Sequence, residues 1–99
     1  SAKNIMQQIS LAQTEEYSKT GSYYTQENST CTPSSTSTDD IESVLFGGSE
    51  LIGEDVGYSI CIAKTGASDF DIVATENTEN SPCILTLSRN GNFTRDSNC

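Results

Sequence analysis

The chain has 99 residues, 33% of them apolar, with no Trp and no His, and carries five Lys and Arg against fourteen Asp and Glu, a net charge of −9. That length bounds a single domain with a thin core, and that charge lacks the clustered cations a phosphate backbone requires. Without His, neither a Ser–His–Asp nor a Cys–His nucleophilic centre can be assembled.

Residues 1–19, "SAKNIMQQISLAQTEEYSK", contain no Gly or Pro. Ile5, Ile9, Ala12 and Glu16 recur at helical spacing, with Ala2 and Met6 beside them, which predicts an amphipathic helix with a narrow apolar stripe. Gly21 suits its C-terminal cap. Its start carries no N-cap pattern beyond Ser1, so the helix is expected to extend upstream. Residues 20–38 read as a polar loop holding Tyr23, Tyr24 and Cys31. Asp39 with Glu42 forms a capping-box pattern ahead of Val44, Leu45 and Phe46, predicting a short helix that Gly47-Gly48 ends. A connector runs to about Asp55, and residues 20–55 together join the long helix to a run of strands over 56–99.

"VGYSICIAK" places Val56, Tyr58, Ile60 and Ile62 on one face, and Gly57, Ser59, Cys61 and Ala63 on the other. After a Thr65–Ser68 turn, "DFDIVATE" sets Phe70, Ile72 and Ala74 against Val73. After a loop over Asn77–Pro82, "CILTLSR" sets Cys83, Leu85 and Leu87 against Ile84, Thr86 and Ser88. Asn90-Gly91 is a strong hairpin signal, and "NFTRD" is its return strand. A two-residue loop there places Leu87 opposite Thr94 and Arg95 opposite Thr86.

Four Cys in so short a chain read as two disulfides, and hence as an oxidising compartment. Zinc binding is the rival reading, but no CxxC pair supports it. Four Cys allow three connectivities. The hairpin register brings Cys83 beside Cys99 and leaves Cys31 to pair with Cys61, pinning the polar loop to the first strand.

The paired carboxylates Glu15-Glu16, Asp39-Asp40, Glu54-Asp55 and Asp69/Asp71 all lie in or beside polar segments and read as solvated faces rather than hydrolytic pairs. Calcium at Asp39/Asp40 or Asp69/Asp71 finds no EF-hand spacing to support it. Asn28-Ser29-Thr30 and Asn92-Phe93-Thr94 match the N-glycosylation sequon, and the Ser/Thr run from Ser29 to Thr38 reads as a plain loop. Tyr23 and Tyr24, with Tyr17 nearby, form either a binding patch or packing against the sheet edge. Arg89 and Arg95 flank the last hairpin. These four, Tyr23, Tyr24, Arg89 and Arg95, are the candidate interaction surface. No catalytic residue, cofactor site or metal site is expected.

The order of helix, variable loop, strand meander and cysteine-closed hairpin resembles the type IV pilins. "AQTEEYSKTGSYY" is similar to that family's helix exit, "GYSICIA" to its first strand, and "CILTLSRNGNFTRDSNC" to its C-terminal element. The family's N-terminal hydrophobic helix, with its processing site, has no counterpart in these residues. The resemblance implies an α+β pilin-like domain whose helix packs on an antiparallel sheet of about four strands. It further implies a major or minor subunit of an extracellular pilus filament, with roles in adhesion, motility or DNA uptake and no enzymatic activity. The implied partners are other pilin subunits and a surface or host-cell ligand, with membrane attachment only through the missing helix and the inner membrane as the site before assembly. A DNA-binding competence pilin and a type II secretion pseudopilin are the alternatives. The competence pilin needs a basic stripe, which the net charge opposes.

Overall fold

A computed structural model of the chain describes residues 2–49, 57–77 and 80–99. The predicted connector from Glu50 to Asp55, Val56 of the first predicted strand, and Thr78 and Glu79 of the predicted loop lie outside the described residues.

Helix α1 (Ala2–Thr20) buries Ala2, Met6, Ile9 and Gln13. The stripe is thus turned from the Ile5–Ile9–Ala12–Glu16 line. Ile5, Ala12 and Glu16 sit half-buried at its flank, and the polar Gln13 takes the innermost place. The reason is a backbone clamp. Gln13 Nε2 donates to the Tyr24 carbonyl at 2.6 Å, and the Tyr24 N–H donates to Gln13 Oε1 at 2.8 Å. A fully buried side-chain amide is tolerated because both of its ends are bonded. Gly21, at φ +82°, ends the helix and donates to the Tyr17 carbonyl at 2.8 Å. The positive φ is open to Gly at no steric cost.

A two-residue strand, β1 (Glu27–Asn28), precedes α2 (Ser35–Leu45). Helix α2 starts four residues before the expected Asp39, which is an exposed interior residue instead. The cap is Ser34: its hydroxyl accepts from the Ser37 N–H at 3.0 Å, and the Ser34 N–H donates to the Ser37 hydroxyl at 2.9 Å. Two seryl hydroxyls complete the reciprocal box. Ser37 also donates to the Ile60 carbonyl at 2.7 Å, and this long-range bond selects Ser34 from a run of equally good local caps.

Strands β2 (Tyr58–Gly66), β3 (Asp69–Glu76), β4 (Ile84–Ser88) and β5 (Phe93–Arg95) form the expected antiparallel meander. The sheet has five strands rather than about four, and it is mixed, because β1 lies parallel to β2 at the edge. The polar loop is held along β2 by Gln26 N–H to the Ile62 carbonyl at 2.9 Å and Ser29 N–H to the Lys64 carbonyl at 2.8 Å. Elsewhere on that edge side chains replace a strand. The Ile60 N–H donates to Thr38 Oγ1 and the Ile62 N–H to Gln26 Oε1, each at 2.9 Å. The otherwise open edge is therefore satisfied internally and protected from edge-to-edge pairing.

The period-two alternation delivers Ile60, Ile62, Phe70, Ile72, Ala74, Leu85 and Leu87 to one face of the sheet. There they close a core with Met6 and Ile9 of α1 and Ile41 of α2. Each large side chain buried this way stabilises by about 1.5–3 kcal/mol, and this set accounts for the order of the layers.

The last hairpin differs from expectation by one residue. Leu87 pairs with Phe93, Thr86 with Thr94 and Leu85 with Arg95. Arg89, Asn90 and Gly91 form a three-residue loop. Ser88 N–H donates to the Asn92 carbonyl at 3.0 Å, Gly91 N–H to the Ser88 carbonyl at 2.9 Å, and only Gly91 of the three has positive φ, at +91°. A two-residue Asn-Gly turn of type I′ would need positive φ at both positions. The shift places Phe93 on the core face beside Leu87, where the alternative register would turn it to the opposite face.

Candidate functional site

Disulfides join Cys31 to Cys61 and Cys83 to Cys99, the pairs that the strand reading gives. The second closes through a turn rather than through direct strand pairing. Asp96 Oδ1 accepts from the Ile84 and Asn98 N–H groups, each at 3.1 Å, and the Cys99 N–H donates to the Asp96 carbonyl at 3.3 Å. The chain thereby folds back and sets the Cα atoms of Cys83 and Cys99 4.7 Å apart. Among the described residues, Cys83, Asp96 and Cys99 are the one group of three such side chains close enough to share a metal ion, and their two sulfurs are bonded to each other. Neither Asp39 with Asp40 nor Asp69 with Asp71 gathers a third such ligand there.

Tyr23 stands between two rings: Tyr17 at 4.7 Å and Phe70, edge-on, at 4.9 Å. It is a packing residue at the junction of α1 and the sheet. Tyr24 is held by its backbone to Gln13, and its hydroxyl accepts from Gln26 Nε2 at 3.2 Å. Both are half-buried, while Tyr17 is 41% exposed.

Arg89 and Arg95 do not form a shared patch. Arg89 Nε bonds Asp69 Oδ1 at 3.1 Å. The Arg95 guanidinium lies 5.0 Å from the centroid of the Phe93 ring, and the Lys3 ammonium of α1 lies 4.9 Å from the same centroid. Their stems cover the one aromatic side chain of β5, a cation–π arrangement that ties the end of the sheet to the start of α1.

A concavity lies on the opposite face of the sheet from the helices. It has a volume of about 510 Å³ and is walled by the loop around Cys31 and Pro33, with Ala63, Asp71, Val73, Ile84 and Thr86 in its lining. The Cys31–Cys61 disulfide holds that wall against β2. Asp71 is half-buried on this face. Burial, and next the neighbouring Asp69 carboxylate, push its pKa above the ordinary 3.8. Loss of hydration disfavours the charged form, and a like charge adds to the effect. At the other end of the sheet, burial and then Glu76 raise the Tyr58 phenol above 10.0. A second, polar hollow of about 450 Å³ is lined by Tyr24, Gln26, Glu27, Ser34, Ser37 and Asp40. Gln26 and Ser37 there are already engaged with backbone carbonyls.

Every cysteine is in a disulfide. Sequence reasoning weighed Asp69 and Asp71 as a hydrolytic pair and as a calcium site and read them as a solvated face, and it missed Gln13 and Gln26. A signal for Gln13 exists: it stands four residues after Ile9, on the buried line through Ala2 and Met6. Comparison with protein-family models, with curated proteins and with solved structures gives no match to this chain.

Proposed function

We propose that this chain is the globular domain of a filament subunit of the type IV pilin kind, exported to an oxidising compartment and assembled on the cell surface through contacts with further subunits. It acts as a structural and interaction module rather than as an enzyme. The observation that carries this reading is the linear order of the fold. A long helix is docked lengthwise on an antiparallel meander, a loop is stapled to the first long strand by Cys31–Cys61, and a terminal hairpin is closed by Cys83–Cys99. Two features of α1 support it. Its buried line runs to Ala2 at the very start of the helix. On its other side Leu11 is 70% exposed, an apolar side chain on the surface of an otherwise acidic domain.

The reading is tested on the intact precursor. The coding sequence upstream of Ser1 is expected to continue α1 into an apolar helix of about 20 residues or more, the length that spans a bilayer, preceded by a processing site. Mass spectrometry of the mature protein should find that helix still attached. A precursor in which another folded domain or a conventional cleaved signal directly precedes Ser1 overturns the proposal.

A further inference from the structure

The sheet face turned away from the helices carries a groove that the filament reading does not use. Its floor comes from residues that point outward from three neighbouring strands: Ala63 of β2, Asp71 and Val73 of β3, and Ile84 and Thr86 of β4. Its volume of about 510 Å³ lies within the range of roughly 300–1,000 Å³ typical of small-ligand sites. Pro33, Ala63, Val73 and Ile84 give it aliphatic surface, beside five Ser and Thr residues, the Cys31 sulfur and one carboxylate, Asp71. Ile84 remains 36% exposed, so the aliphatic floor is open to an incoming group.

The charge at the bottom of this groove is uncompensated. The guanidinium of Arg89 bonds Asp69, two residues along the same face, at 3.1 Å. Asp71 has no hydrogen-bond or ion-pair partner among the described residues, and Asp69 repels it. A half-buried carboxylate among aliphatic side chains is stabilised by a cation delivered with an apolar stem, because the stem covers the floor while the charge meets the carboxylate. An anionic ligand is repelled, and a neutral one leaves the charge of the carboxylate uncompensated.

We infer that this groove binds an alkylammonium group, its carbon stem on Val73 and Ile84 and its charged end on the Asp71 carboxylate. A lysine side chain of a partner protein and a free aliphatic amine both present this chemistry. The inference is independent of the filament assignment.

The test is a nitrogen–proton NMR titration of the oxidised chain near neutral pH, using n-hexylamine, methylamine, 1-hexanol and hexanoate as probes and Nα-acetyl-lysine methylamide as the side-chain form. Hexylamine should shift the amide signals of residues 63, 71–73 and 84–86. It should bind about fivefold more tightly than hexanol, the ratio that a partly exposed ion pair supports, and hexanoate should not bind. Asp71→Asn should bring hexylamine down to the level of hexanol. Ile84→Ala should weaken hexylamine severalfold and leave methylamine unchanged, which separates the stem from the charge. The lysine derivative should shift the same signals, and whichever of it and hexylamine binds more tightly identifies the source of the natural ligand. Equal binding of amine and alcohol, shifts confined to other carboxylates, or full binding by the Asp71→Asn chain overturns the inference.

Discussion

Gln13 is the most exacting place to perturb this fold. Its side chain is fully buried and replaces two backbone partners for Tyr24, through bonds of 2.6 and 2.8 Å. Gln13→Met keeps the length and apolar stem but leaves the Tyr24 N–H and carbonyl without those partners. Each stranded polar group costs about 1–3 kcal/mol, so the pair predicts a loss of roughly 2–6 kcal/mol from a total stability of order 5–15 kcal/mol. For a domain of this size that lowers Tm by about 10 °C or more. Gln13→Glu gives the same test a pH dependence. Its carboxylate still accepts from the Tyr24 N–H but repels the carbonyl, and protonation restores a donor. The Glu variant should therefore be weakest near neutral pH and recover toward acid pH relative to the Met variant. Urea denaturation of the oxidised chains, followed by circular dichroism, measures both. A Met variant within about 0.5 kcal/mol of the parent, the range of ordinary surface substitutions, would refute the claim that this clamp fastens the loop to the helix.

Four further outcomes are expected. Peptide mapping without reduction should recover Cys31 linked to Cys61 and Cys83 linked to Cys99, and a Cys61–Cys83 peptide would contradict the fold. With sequence separations of 30 and 16 residues, the chain-entropy model assigns the two bridges about 4 and about 3 kcal/mol, so Cys→Ser pairs should lose stability in that order. Asp71, with its pKa raised in the fold, contributes stability that is fully present below its ordinary value and lost as pH rises through the folded value. Asp71→Asn should therefore stabilise the chain near pH 7, and the gain should vanish near pH 3, below the ordinary carboxylate pKa; a gain that persists there removes burial as the cause. Duplex DNA should bind weakly or not at all near 150 mM salt, roughly physiological ionic strength, because Arg89 is held by Asp69 and Arg95 lies on Phe93. Submicromolar affinity in a polarisation titration, lost on Arg89→Ala with Arg95→Ala, would favour the DNA-binding alternative.

The parts of this fold that were legible in the sequence are those fixed by local period and punctuation. A Gly- and Pro-free run with apolar residues every three or four positions gave α1, and strict alternation gave the inner faces of β2, β3 and β4. The strand arrangement also singled out the disulfide pairs. The parts that were not legible are decided by contacts distant in sequence. Ser34 and Asp39 are equally good local caps, and a bond from Ser37 to Ile60, 23 residues away, settles the choice. Asn90-Gly91 signals a hairpin, but its register follows from placing Phe93 beside Leu87 on the core face. Strand β1 has no apolar pattern because its two residues are both exposed, and its pairing comes from the stapled loop. Arg89 and Arg95 flank one turn in sequence, yet one is drawn to Asp69 on β3 and the other to Phe93 and thereby toward α1. The outer groove needs three strands and the Cys31 loop together, and no single stretch of sequence announces it.

We propose that this domain coats a surface filament, a role tested on filaments sheared from cells that produce the full-length protein. Mass spectrometry of the sheared fraction should recover peptides from this chain, including the intact Cys83–Cys99 link, and immunogold labelling with antibodies to the domain should decorate fibres along their length or at their tips. Recovery of the chain solely from the soluble or cell-body fractions, with unlabelled fibres, would contradict that role.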